Sequence, residues 1–146
     1  MCGIVGLFLK DAALEPKLGS LVETMLATMC ERGPDSAGFA VYGAPAAGRT
    51  KMTLQSASPE TDFAGLRDDL RRITGVDSSL QVKSTHAVLT VPSGMADVVR
   101  AELRAAHPGI RVMSVGETIE IYKEVGYPTG VAARFDLASM QGTHAI

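Results

Sequence analysis

An α+β fold is predicted by three features of the 146-residue chain. Short apolar runs bounded by glycine and proline read as strands. Three segments with apolar residues at steps of three and four read as amphipathic helices. The length is sufficient for a real core, since a domain of this size buries roughly 68–70% of its extended surface.

The first element is the run Cys2-Gly3-Ile4-Val5-Gly6-Leu7-Phe8. Ile4, Val5, Leu7 and Phe8 predict a short buried strand, and the glycines at 3 and 6 let backbone approach closely. A helix follows, with Leu18, Leu21, Val22, Met25, Leu26 and Met29 forming one apolar stripe. Pro16 lies near its start and Gly33 just past its end. This helix should pack on the sheet that holds Cys2, with its methionines as core filler. Cys30 falls on the same helix in a structural position. Arg32-Gly33-Pro34-Asp35-Ser36-Ala37-Gly38 then reads as a turn leading into a strand at Phe39-Ala40-Val41-Tyr42. The stretch from Gly43 to Gly48 reads as a loose hairpin connection, and Lys51 to Gln55 as the returning strand.

From about Ser58 to Val125 the pattern predicts a small inserted α+β module. Ser58-Pro59-Glu60 predicts a helix start with a capping serine and proline at the first helical position. Phe63, Leu66, Leu70 and Ile73 share one face of that helix up to Gly75. A strand from Leu80 to Val91 follows. A second helix begins at Pro92-Ser93, has Met95, Val98, Val99, Leu103 and Ala106 on one face, and ends at Pro108-Gly109. Two strands, Ile110 to Val115 and Thr118 to Val125, meet near Gly116. A β-α-β-β unit with a flanking helix can bury its apolar faces as a compact module. The module could take a small regulatory ligand or a neighbouring subunit.

Charge excludes some partners. A formal net charge of −2 without a basic cluster beyond Arg67, Arg71 and Arg72 gives no support for nucleic acid. No apolar run approaches the ~18 residues needed to span a membrane. The two cysteines, Cys2 and Cys30, without a basic secretory leader, predict a cytoplasmic protein and no disulfide framework. His86, His107 and His144 show no metal-ligand spacing. His107, at a helix end, suits the partial negative charge there.

Cys2 stands directly behind the initiator, so removal of Met1 leaves a thiol and a free amine on one residue. An α-amino group ordinarily titrates near ~7.7–8.0 and a free thiol near ~8.5, so such a pair keeps a reactive fraction at neutral pH. A neutral terminal amine can accept the thiol proton and return it to a leaving group, which is the chemistry of acyl transfer without a distant histidine. A retained Met1 would turn that amine into a non-basic amide. The other reading of Cys2 is a small buried hydrophobe in an edge strand.

The Cys2-to-Phe8 run and the Arg32-to-Gly38 turn, one helix apart, together resemble the class II glutamine amidotransferases, which are N-terminal-nucleophile hydrolases. The last residues, Gln141-Gly142-Thr143-His144-Ala145-Ile146, resemble the lead-in to that family's Gly-His-Thr-Arg segment. The resemblance covers residues 2 to 42 and 137 to 146. It implies the N-terminal part of a four-layer αββα sandwich, with an amidotransferase core at 1–57, an inserted module at 58–125 and a return to the core at 126–146. It implies Cys2 as the nucleophile, with Gly3, Arg32, Gly33, Asp35 and Ser36 as supporting structure. Arg32 then holds nearby backbone rather than doing chemistry, while Asp35 or Ser36 can alternatively serve turn amides alone. The family's substrate-gripping arginine, its Asn-Gly oxyanion pair and its downstream acid would lie past Ile146.

The inserted module and the stand-alone start resemble the glutaminase subunit of glutamate-synthase-like and N-methylglutamate synthase complexes. That likeness implies glutamine as substrate, no cofactor on this chain, and flavin and iron–sulfur centres on the synthase subunits that receive ammonia. The competing expectation is a non-catalytic scaffold or ligand-binding protein that retains the amidotransferase half-fold.

Overall fold

A computed structural model describes residues 3–32 and 35–146; Met1, Cys2, Gly33 and Pro34 lie outside the described residues. In chain order the elements are β1 (Leu7–Phe8), α1 (Leu18–Ala27), β2 (Ser36–Tyr42), β3 (Arg49–Ser56), α2 (Pro59–Asp62), α3 (Leu66–Thr74), β4 (Ser79–Lys83) and β5 (His86–Pro92). There follow α4 (Ala96–Ala106), β6 (Ile110–Gly116), β7 (Ile119–Val125), α5 (Pro128–Arg134) and β8 (His144–Ala145). The fold is α+β with two antiparallel sheets, ordered β1-β8-β2-β7 and β4-β5-β3-β6. The chain forms two compact units, one of residues up to Ala44 with Ile121–Ile146, the other Pro45–Glu120.

In the first unit, α1 is amphipathic because Leu18, Val22 and Leu26 recur at steps of four and are buried. The chain enters it through a 3₁₀ segment, Ala12–Lys17, whose first turn is capped by the Asp11 carboxylate accepting the Ala13 N–H at 2.9 Å. The helix backbone lies directly on the 3₁₀ turn Leu137–Ser139 and the residue after it. Gly19 donates its N–H to the Met140 carbonyl at 2.9 Å, and a methyl at Gly19 would sit 2.7 Å from that same oxygen. Only glycine allows this approach. Phe39, Tyr122 and Phe135 form the aromatic centre of the unit, all buried, with ring centroids 5.0–6.3 Å apart.

The second unit has the connectivity β-α-β-β-α-β, in which β3 is a central strand paired with β5 and β6, and β4 is an edge. This is the ferredoxin-like plait. Met52, Leu54, Leu89 and Val91 project from the sheet onto Leu66 and Leu70 of α3 and Val99 and Leu103 of α4, all buried. On the opposite side of β3 the Thr53 hydroxyl accepts a hydrogen bond from Ser114 Oγ at 2.9 Å.

Several expectations are corrected. Among the described residues of the N-terminal run only Leu7–Phe8 is strand, at the edge of its sheet, and Ile4 is 83% and Phe8 66% exposed. Pro16 sits inside the 3₁₀ segment rather than opening the helix, Leu21 is exposed, and Met29 and Cys30 lie in the turn beyond α1. Residues 43–48 do not join a hairpin, since β2 and β3 belong to different sheets. The helix expected from Ser58 to Gly75 is two helices, parted at Gly65, which adopts φ 70°. Ser58 does not cap with its side chain; its N–H donates to Ser56 Oγ at 2.8 Å. Ile73 and Val98 face solvent, as does Ala106. Leu80 to Val91 is a hairpin, β4 and β5, turned at Ser84 with φ 54°. The strand expected at Thr118 to Val125 is β7, which pairs in the first unit's sheet. The compact units part at 44/45 and 120/121.

Candidate functional site

Three segments far apart in the chain meet in the first sheet. β8 lies between β1 and β2, with Ala145 opposite both Leu7 and Val41, and His144 opposite both Phe8 and Tyr42. Backbone bonds extend the ladder in both directions. Leu9 donates to the Thr143 carbonyl at 2.8 Å, and Ala40 and Ile146 exchange N–H bonds of 2.8 and 3.0 Å. Gly142 passes against Tyr42 so closely that a methyl there would overlap the Tyr42 carbonyl, lying 2.8 Å from its carbon.

Because both neighbours run antiparallel to β8, β1 and β2 run in the same direction. Their starting ends therefore lie at the same end of the sheet. One start leads back to Gly3 and the other to Ser36. Gly3 rests on the turn that follows α1. A methyl at Gly3 would lie 2.8 Å from Met29 Sδ and 3.5 Å from Arg32 Cδ. Gly3 and Arg32, named separately from sequence, are thus neighbours. Arg32 is held in the turn by its N–H donating to the Met29 carbonyl at 2.9 Å.

Asp35 and Ser36 enter differently. Asp35 contributes its backbone, its carbonyl accepting the Gly126 N–H at 3.0 Å just after β7, while both side chains are exposed. Cys2 and Gly33 lie outside the described residues. Cys30 is a half-buried free thiol 3.9 Å from Thr129 Oγ1.

The sequence reading missed an aromatic face. Leu7, Ala145 and Val41 point to the side of the sheet where α1 and α5 pack. Phe8, His144 and Tyr42 occupy the other side. The Tyr42 and His144 rings stack at 4.0 Å with an interplanar angle of 14°, and Phe8 lies 5.6 Å from His144. Thr143 Oγ1 sits 2.8 Å from His144 Nδ1 and fixes the ring orientation. The alternation in Phe39-Ala40-Val41-Tyr42 carried the signal for Tyr42, but pairing with His144 spans about a hundred residues and has no local mark. The histidines are scattered: His86 is buried in the second unit's sheet, His107 ends α4, and His144 stacks as described. No helix among the described residues is long and apolar enough to cross a membrane.

No family model matches the chain. Over its full length of 146 residues it is 56% identical to "Glutamine amidotransferase-like protein GlxB" of Rhizobium meliloti (strain 1021), of which it covers 48%. It is 29% identical, over an alignment of 158 positions that includes the whole chain, to "Putative glutamine amidotransferase" of Methanothermobacter thermautotrophicus (strain Delta H), of which it covers 50%. The chain spans about half the length of these curated relatives.

Proposed function

We propose that the chain is the N-terminal part of a class II glutamine amidotransferase, an N-terminal-nucleophile hydrolase in which Cys2 is the nucleophile. The observation that carries this reading is the packing of Gly3 on Arg32, which brings the residue after the cysteine against the second motif. Agreement with the names of the two relatives supports it. The layering supports the αββα sandwich: helices cover one face of the first sheet, and the other carries Phe8, His144 and Tyr42.

In the proposed reaction, Met1 is removed and the neutral Cys2 amine takes the thiol proton. The thiolate sulfur attacks the side-chain amide carbon of glutamine, forming a tetrahedral oxyanion. The carbon–nitrogen bond breaks, the Cys2 ammonium gives its proton to the departing nitrogen, and ammonia leaves a γ-glutamyl thioester. Water, deprotonated by the same amine, releases glutamate and regenerates the thiol. Arg32 is a positioning residue that holds the terminal segment. A strand prolonged past Ile146 in the β8 register would run between the segments leading to Gly3 and Ser36, where the family's arginine would grip the glutamine carboxylate. The oxyanion donors would come from the same later part of the protein, each contributing on the order of 10²–10³ in rate. This chain by itself is therefore expected to be weakly active or inactive. Ammonia would pass to synthase subunits, and any flavin or iron–sulfur centre would reside on them, in a cytoplasmic complex.

The test is a glutaminase assay of the full-length protein against its Cys2→Ala variant, with intact mass establishing loss of Met1. Glutamate release should disappear in the variant. Equal rates, or a terminus blocked by Met1 in active protein, would refute the mechanism.

A further inference from the structure

Within the second unit, α4 buries Val99 and Leu103 and leaves the outer part of β6 partly uncovered. A groove of about 590 Å³ results, within the ~300–1,000 Å³ usual for small-molecule sites. Its wall is formed by Arg100 and Arg104, one helical turn apart on α4. Its floor is β6, where Ile110, Val112, Met113 and Val115 supply an apolar strip interrupted by Ser114. The floor owes its shape to a bulge. Thr53 pairs with Ser114 and Leu54 with Val112, so Met113 is an extra residue that bends this strand.

Among the described residues that line the groove, the charged ones are Arg100 and Arg104, both positive. Arg100 is paired with Asp97 at 3.1 Å, but with side chains 49% and 91% exposed this pair is weak and open to competition. Arg104 has no ion pair among the described residues. Two guanidinium forks above an apolar strip match a ligand with an anionic head and a hydrocarbon or aromatic body. A ligand amine among the lining residues would meet the two guanidinium groups and no carboxylate, which disfavours zwitterionic amino acids.

We propose that this groove binds a small organic anion, carboxylate or phosphate, that carries an apolar body and no amine. The proposal does not depend on the glutaminase reading.

The experiment is an NMR titration of the full chain with phenyl phosphate, hexanoate, inorganic phosphate and hexylammonium. Phenyl phosphate or hexanoate should give saturable shifts in the amides of Ile110–Val115 and in the side-chain signals of Arg100 and Arg104; the tighter of the two identifies the head group. Inorganic phosphate should bind at least about tenfold more weakly, and hexylammonium should leave these signals unmoved. Arg100→Gln and Arg104→Gln should each weaken binding about tenfold, the loss expected for one charged hydrogen bond. Val115→Asp, which puts a carboxylate on the exposed floor, should abolish it. Absence of saturable shifts at β6, unchanged affinity in the double arginine variant, or equal binding of inorganic phosphate would overturn the proposal. A Cys2→Ala chain should titrate like the parent.

Discussion

The two units reach a buried core by opposite routes. The plait at Pro45–Glu120 is continuous in sequence and closes its sheet through strands that follow one another with short helical crossovers. The other unit assembles β1, β2, β7 and β8 from both ends of the chain, with β8 inserted between β1 and β2. Its strongest constraints are close backbone passages, at Gly19 on the Leu137–Met140 turn and at Gly142 on Tyr42. In the plait the constraint is side-chain volume: Leu54, Leu89, Leu70 and Leu103 are all fully buried against one another's elements. The unit built from both ends of the chain thus depends on register. The unit that is continuous in sequence depends on packing.

Substitutions can break this contrast. The largest effect is expected for Gly19→Ala, because the added methyl overlaps the Leu137 carbonyl and approaches two further backbone atoms within 3 Å. No side-chain rotation relieves a clash with backbone, so the loss should exceed about 4 kcal/mol, the diagnostic tail of single substitutions. Hydrogen exchange should show α1 and the 137–140 turn losing protection; a melting curve matching the parent would refute the close-approach account.

Leu89→Ala tests the other half of the comparison. Leu89 is fully buried on β5 inside the plait core, so the truncation should cost about 2–5 kcal/mol in denaturant unfolding through lost burial and a residual cavity. A cost below about 1 kcal/mol would show that this core collapses around the gap, and the plait would not be limited by packing. The smallest effect belongs to the surface. Arg72→Ala removes an ion pair to Asp69 at 2.6 Å whose side chains are 71% and 43% exposed, and solvent screening should hold the change under about 0.5 kcal/mol. A larger loss would mean that exposed pairs contribute to the plait as its core does.

Legibility differed between the same two regions. The helical stripe of Leu18, Val22 and Leu26 and the paired Leu66 and Leu70 were readable, because apolar spacing of three and four reports which face is buried. The β4–β5 turn was not. Ser84 and Thr85 carry no glycine, asparagine or proline mark, yet Ser84 takes a left-handed φ of 54°. Leu21, Ile73 and Val98 fit the apolar pattern yet face outward, since periodicity counts residues and not the width of the surface covering them. Of the candidate site, Gly3 and Arg32 were both named from their motifs, but their contact appears only in the folded chain.

By itself the sequence determined an α+β chain, the places of its main helices, and two motifs, at residues 2–8 and 32–38, one helix apart in the sequence. These are local properties, written in residue type and spacing. Tertiary structure alone decided that β3 centres the plait, that β7 leaves it for the other sheet, and that β8 joins the two motif strands. Strand partnership is settled by which buried faces and backbone donors are left to satisfy once the whole chain is packed, and no short window of residues contains that information.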